Sequence, residues 1–569
     1  MNLPRPEHPK PQFYRENWLN LNGKWAFEVD NNLCGAQKGM QKPDAKYNSE
    51  IIVPFCPESK LSGIENKDFM YSVWYKRTVT LTKENLNGRV ILHFGAVDYR
   101  CTVYVNGKEA GSHAGGYVSF SFDITDFVVV GDNVITVNAN DDPNDPMIPS
   151  GKQCEKYFSY GCYYVRTTGI WQTVWLEFVP ENYVVSAKYD TDISTNTFFG
   201  EFNLCGNGDL NVEVTYNSNV VGTVALQNCS GLVKIAIPLS EQHLWEVGNG
   251  RLYDLKITFG DDTVTSYFGM REIHFDGFKF MINGKSVFQR LVLDQGFYPD
   301  GIYTAPNDSE LENDIKRSMD CGFNGARLHE KIFEERFLYY CDLYGYIVWG
   351  EFPNWGLDHT NPASIHPALA EWCEEIKRDY NHPSIIGWCP FNETWDLHGG
   401  RHGQCDDVLR TIYNVTKNID KTRPCIDTSG NFHVKTDIFD LHDYEQDPKV
   451  FKEKYENLYT EGTFTDIRKD RQKYGGEPVF ISEYGGLGWS LDDKGWSYGN
   501  APKSEEEFIE RFRGLADAIL DNKALCGLCY TQLTDVEQEQ NGLYTYDRRP
   551  KFDVNIFKDI LSRTAEIEK

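Results

Sequence analysis

The sequence predicts a multidomain chain: a β-sandwich of jelly-roll type, an immunoglobulin-like β-sandwich and a (β/α)8 barrel. Three observations point there. At 569 residues the chain is too long for one ordinary domain. Its first half is built of short β-rich runs separated by turn residues. After about residue 276, apolar strands alternate with charged amphipathic stretches, the mark of a parallel sheet with crossover helices.

Residues 1–180 contain runs such as GRVILHFGAV (88–97), CTVYVNG (101–107) and NVITVNAN (133–140). Asn106-Gly107 and Gly131-Asp132-Asn133 are hairpin signals between them. The region closes on the aromatic strand GIWQTVWLEFV (169–179), and so many short strands suit a jelly roll. Residues 181–275 alternate strictly in YVVSAKYD, LNVEVTYNSN, GLVKIAIP and LYDLKITFG, which fits an immunoglobulin-like sandwich. FGMREIHF (268–275) reads as its exit strand.

Residues 276–569 offer eight barrel strands. They are VFQRLVL (287–293), GFNGARL (322–328), GYIVWGE (345–351), IIGWCPFN (385–392), PCIDTS (424–429), DIFDLH (437–442), PVFISEY (478–484) and ALCGLCYTQ (524–532). Helical stretches such as ELENDIKRSMDC and ALAEWCEEIKRDY lie between most of them. The fifth and sixth strands stand too close for a full helix between them.

Against 57 basic residues stand 84 acidic ones, a net charge of −27. Such a surface repels phosphate backbones and anionic lipid, so neither nucleic acid nor a membrane is expected as a partner. No apolar run is long enough for a membrane span. The opening MNLPRPEHPKPQFYREN has no apolar core, so a secretory signal is not expected and a cytoplasmic location is. The 15 cysteines are scattered, many in apolar runs (Cys101, Cys341, Cys389, Cys425), and read as small buried hydrophobes. The CxxC at Cys526 and Cys529 has no second pair and reads as strand thiols. No cofactor or metal is expected, and homo-oligomerisation is left open.

In a (β/α)8 barrel the working residues stand at the carboxyl ends of the strands. Those ends carry Arg327 and His329, Glu351, Asn392-Glu393, His442 and Tyr444, Glu483, then Gln532 and Asp535. Glu393 and Glu483 follow the strongly apolar runs IIGWCPFN and PVFIS, on strands four and seven, which face each other across the mouth. Glycoside cleavage needs two carboxyl groups flanking the bond, and a separation of about 5–5.5 Å gives retention.

WCPFNETW (388–395) and PVFISEYGG (478–486) resemble the acid/base and nucleophile motifs of glycoside hydrolase family 2, which includes β-galactosidases, β-glucuronidases and β-mannosidases. The resemblance extends along the chain through LNLNGKWAF (19–27), VYVNGKEAGSHAGGY (103–117), TGIWQTVWLE (168–177) and GFNGARLHE (322–330). It implies that Glu393 is the general acid/base, Glu483 the nucleophile, Asn392 a ligand of the sugar 2-hydroxyl and Tyr444 a residue that orients the nucleophile. Arg327 is expected to keep the nucleophile ionised, and His329 and Gln532 to contact the substrate. Trp355, Trp395 and Trp489 are candidate stacking walls, and Glu351 is expected to be structural. LVLDQGFYPDG (291–301) replaces the family's more usual Asn-Arg-His segment, so Asp294, with Gln295, is expected to supply other hydroxyl contacts.

Two departures bear on the sugar. The β-glucuronidases of the family carry an Asn-x-Lys signature, whereas EQEQNGLYTYDRRPK (537–551) has Gln540-Asn541-Gly542 with no lysine at that step. Tyr163 stands where many relatives place an aspartate. The expectation is a retaining exo-β-glycosidase for terminal neutral sugars, β-D-galactosides or a related glycone such as an α-L-arabinopyranoside or galactofuranoside. The rival expectations are a non-catalytic carbohydrate-binding protein, a transglycosylase using the same residues and, disfavoured, a β-glucuronidase.

Overall fold

The computed structural model describes residues 3–395, 404–466, 468–490 and 495–569. The amino-terminal part is a sandwich of antiparallel sheets, one of six strands and one of four. Gly131–Asn140 pairs with Ser72–Leu81 along all ten residues and with Arg100–Val105 on its other edge. Val103, Val105, Ile135, Val137 and Ala139 alternate inward and are buried with Trp25, Phe27, Leu92 and Leu176. Asn106 and Gly107 both have positive φ (52° and 80°), as a tight hairpin turn matching the right-handed strand twist requires.

The second part is a curled antiparallel sheet around its own core of Phe198, Phe202, Val212, Leu255 and Phe268. Its long strand Thr197–Tyr216 pairs first with Tyr183–Asp192 and then with Tyr253–Phe259, so one strand serves both layers. The last strand of this sheet is Asp262–Phe268. The expected exit strand does not run on to residue 275. Met270 bridges Leu244 instead, and Ile273–Asp276 joins Lys279–Ile282 and Lys285–Ser286 in a separate small meander.

The barrel strands are parallel, in the order Ile385–Cys389, Ile347–Glu351, Gly325–Leu328, Gln289–Asp294, Leu525–Thr531, Val479–Gly485 and Phe439–Asp443. The gap between first and last is closed by residues 424–429, which bridge strand four at Trp388/Cys425 and Asn392/Ser429 without forming a regular strand. Pro424 brings no N–H to a ladder, and residues 430–438 turn directly into the next strand with no crossover helix. Elsewhere amphipathic helices cover the strands, including Asp308–Asp320, Pro362–Asp379 and Glu505–Leu520. Asn307 and Ser504 cap two of them by accepting from Glu310 N and Glu507 N.

The parts are joined by packed side chains. The barrel core takes in Tyr117, Tyr164 and Trp171 from the first sandwich and Trp245 from the second. Among the described residues no helix is long and apolar enough to cross a membrane.

Candidate active site

Arg327, at the end of the second barrel strand, is fully buried on the barrel axis. Its guanidinium donates to Glu351 Oε2 at 2.7 Å, Glu483 Oε1 at 2.9 Å, the Ser482 carbonyl at 2.9 Å and Asn392 Oδ1 at 3.1 Å. One planar fork thus ties together strand ends three, four and seven. Burial opposes its charge, but Glu351 and Glu483 keep it charged at all ordinary pH. Glu351 also accepts from Glu330 N and lies 2.8 Å from His329 Nδ1, so its carboxylate is spent on the scaffold.

Glu483 stands at the floor with a side chain only 4% exposed. Tyr444 donates to its Oε2 at 2.5 Å, and the Tyr444 ring stacks on Tyr498 with centroids 3.8 Å apart. Burial alone would raise this carboxyl. His442, His329, Arg327 and the Tyr444 hydroxyl outweigh it and hold the group far below the usual carboxylate range.

Glu393 is more open, its side chain 20% exposed. Its backbone lies in the left-handed region (φ 49°) and is fixed by Glu393 N donating to the Ser429 carbonyl at 3.0 Å. His442 Nδ1 meets Glu393 Oε1 at 2.7 Å, and His442 Nε2 lies 3.3 Å from Glu483 Oε1. Burial pushes the Glu393 carboxyl up, and the hydrogen bond and charge of His442 together with the Lys152 ammonium outweigh it, so the group lies below its ordinary value. Ligating atoms of Glu393, His442 and Glu483 all lie within 4.8 Å of one another, so the two carboxylates face across a gap of a few ångströms. These three are also the grouping among the described residues with donors suited to a metal ion.

Asn392 spends its Oδ1 on Arg327 and takes the Asn354 side chain as acceptor of its own N–H, while its buried Nδ2 has no partner among the described residues. That donor stands beside the two glutamates.

The other expected site residues divide. Trp355 donates Nε1 to the Asn392 carbonyl at 3.1 Å, which puts its ring at the mouth, against Tyr163 at 5.1 Å. Trp395 packs edge-on to Phe432 beneath Arg468. Trp489 packs against Phe508 and Phe552, in the hydrophobic layer outside the strands rather than as a wall of the mouth. Asp294 accepts from Gly296 N, and its charged neighbours are Asp314, Arg548 and Lys331, not the two glutamates. Gln532 belongs to a buried amide network, accepting from Gln295 Nε2 at 2.5 Å and donating to Asn541 Oδ1 at 2.8 Å.

The structure adds residues to which the sequence pattern assigned no role. His442 precedes Tyr444 by two positions on one strand end, and that period-2 spacing was the available signal. Glu539 bonds the Tyr164 hydroxyl and accepts from Asn541 Nδ2, and burial raises its carboxyl. Lys152 and Tyr163 come from the amino-terminal sandwich, whose loops reach over the barrel. Ser150 N donates to the Trp355 carbonyl at 2.8 Å, and Gln538 donates to the carbonyls of Gly161 and Tyr163. Nothing local in the sequence marks these contacts.

Two family descriptions match the chain: "Glycosyl hydrolases family 2, sugar binding domain" over residues 19–180, and "Glycosyl hydrolases family 2, TIM barrel domain" over residues 279–565. The chain belongs to glycoside hydrolase family 2. A Formosa agariphila relative of this family-2 chain is 27% identical over 84% of it, and the chain spans 58% of that relative's length. A Thermoanaerobacterium thermosulfurigenes protein named β-galactosidase is 24% identical, covering 96% of this chain and 76% of its own. Among solved structures, a Lactobacillus rhamnosus β-glucuronidase superposes with a TM-score of 0.82 at 20% identity, covering 99% of this chain and all of that one. This structural likeness carries the fold and no more.

Proposed function

We propose that this family-2 chain is a retaining exo-β-glycosidase in which Glu483 attacks the anomeric carbon and Glu393 protonates the leaving oxygen. The observation that carries the reading is the gap of at most 4.8 Å between carboxylate oxygens, with one group clamped and the other open. That gap suits direct attack. An inverting pair needs about 6.5–9.5 Å to admit a water between carboxylate and sugar.

The roles follow from the surroundings. Glu483 is ionised and aligned by Arg327 and Tyr444, so it presents an oxygen without having to lose a proton. Bond formation at C1 discharges it as the leaving oxygen takes a proton from Glu393, which must therefore be protonated in the substrate complex although His442 favours its ionised form in the free protein. Glu393, now ionised, then removes a proton from the water that cleaves the glycosyl ester, and His442 is placed to steady that anion. The unspent Asn392 Nδ2 is the donor for the sugar 2-hydroxyl, a contact that strengthens as positive charge grows at C1.

For the glycone, we favour a terminal neutral sugar of β-D-galactoside type or a near relative. The loop after the eighth strand position brings Glu539 toward the catalytic pair, and this buried carboxylate would repel a uronate. Lys551, the lysine of that loop, spends its ammonium on Asp535 and the Trp489 carbonyl. A uronide is the second reading, favoured by the β-glucuronidase names among both the sequence relatives and the structural neighbours. A panel of nitrophenyl glycosides decides between them. Turnover of the β-D-glucuronide with none of the galactoside, arabinopyranoside or galactofuranoside would reverse the choice.

A further inference from the structure

Lys152 lies in the arm of the amino-terminal sandwich that rests on the barrel mouth. The residue is only 3% exposed. Among the described residues its ammonium has no hydrogen-bond or ion-pair partner; its close neighbour is the face of Trp355, 3.9 Å from Nζ to the ring centroid. Lysines are almost never buried without a partner, because taking an ammonium out of water costs several kcal/mol, as an order of magnitude.

The position is fixed from three sides. Ser150 N and Gly151 N donate to the Trp355 carbonyl, Tyr164 N donates to the Lys152 carbonyl at 2.8 Å, and Trp355 itself is tied to the Asn392 carbonyl. The ammonium is held where Glu539, Glu483 and Glu393 all act on its charge. Burial works against that charge, and these acids together with Cys162 outweigh burial. An ammonium has three donors, and none is spent among the described residues. Tyr164 links the two, its N–H donating to the Lys152 carbonyl and its hydroxyl to Glu539, which also accepts from Asn541 Nδ2; among the described residues Glu539 makes no ion pair with Lys152, so donor and acceptor stand apart.

We propose that Lys152 is a specificity-determining residue: its ammonium donates to hydroxyl oxygens of the glycone, while Glu539 accepts from them. The proposal rests on the neutral-glycone reading above. A polyhydroxylated neutral sugar offers oxygens that accept and donate at once, which matches a separated lysine and glutamate. A carboxylate could satisfy the lysine but not the glutamate.

The test uses the full chain with K152M and K152R. Substrates are the neutral nitrophenyl glycoside that the wild type cleaves fastest, its singly deoxygenated analogues and nitrophenyl β-D-glucuronide. K152M is expected to lower kcat/KM on the parent glycoside about 10- to 100-fold, the loss of one or more charge-assisted hydrogen bonds. On an analogue that lacks a contacted hydroxyl, the gap between wild type and K152M should shrink, and it should close where that hydroxyl is the sole contact. K152R should fall between them on the parent. Equal kcat/KM for K152M and wild type on the parent overturns the proposal, as does the same loss on every deoxy analogue. So does a loss confined to the glucuronide, which would make Lys152 a carboxylate clamp. A collapse of thermal stability in both variants would make it a cation that holds the fold, and equally overturn it. Failure of the neutral-glycone reading is a separate result: a wild type with no turnover on any neutral glycoside.

Discussion

Replacing His442 with alanine should move the basic limb of the kcat/KM–pH profile upward. His442 Nδ1 donates to Glu393 Oε1 at 2.7 Å, and a carboxylate can only accept, so the bond favours the ionised form. Such a charge-assisted hydrogen bond contributes about 1.5–3 kcal/mol, and one pKa unit corresponds to about 1.4 kcal/mol. Its loss raises the carboxyl, by no more than that energy allows. Glu393 must be protonated to donate to the leaving oxygen, so a higher pKa keeps the active form present to higher pH. The acidic limb belongs to Glu483, which must stay ionised. It loses the neighbour 3.3 Å away that does most to hold it down but keeps His329, Arg327 and Tyr444, so its limb rises as well, and the basic limb is the one that reports Glu393. The assay is kcat/KM from about pH 3 to 8, within the range where both proteins stay folded, on an aryl glycoside with a poorly departing phenol, so that protonation of the leaving oxygen limits the rate. H442Q, which keeps an amide donor, should shift less than H442A. A basic limb that stays in place or moves down would refute the assignment of Glu393 as the acid under His442.

Glu483→Ala should lower turnover of an activated aryl glycoside by several orders of magnitude, and azide should partly restore it as a glycosyl azide of inverted configuration. Glu393→Ala with azide should instead give the retained configuration; product NMR reads both, and one configuration from both variants would be incompatible with the assigned roles. Gly151→Ala should lower the thermal midpoint more than Gly161→Ala. Both residues have positive φ, which costs a side chain about 1–2 kcal/mol, but only at Gly151 would a Cβ meet another group, the Glu330 carbonyl at 2.4 Å. Trp489→Phe should reduce the unfolding midpoint and leave KM unchanged, since the indole packs on Phe508 and Phe552; a raised KM would return it to the sugar site.

Much of the fold is legible because the hydrophobic period changes along the chain: alternation in the sandwiches, then apolar strands with amphipathic helices between them. The Asn106-Gly107 hairpin is readable from two residues, since few others accept positive φ at both positions. The irregular 424–429 segment is less so. PCIDTS has a strand's composition, and only its short connection to residue 437 hints that the barrel closes there by isolated bridges. At the site, apolar runs ending in a carboxylate expose Glu393 and Glu483 to a reader of the sequence, and Arg327 follows from its place at a strand end. Trp355 and Trp489 look alike in sequence, each an indole past a strand end. Only packing tells that one meets Tyr163 and the other meets Phe508 and Phe552. Lys152 and Glu539 lie 387 positions apart in the chain, and no local pattern joins them.

The arm at residues 148–165 has a consequence for how this enzyme can be taken apart. Glu393 and Glu483 belong to the barrel, but part of the cover over its mouth is supplied by another module, hung from Trp355 and Gln538. Chimaeras that exchange the first sandwich while keeping the barrel should therefore alter which sugars are admitted and leave the order of chemical steps intact. A barrel produced alone would lack that cover and bare the surface around Trp355 to water.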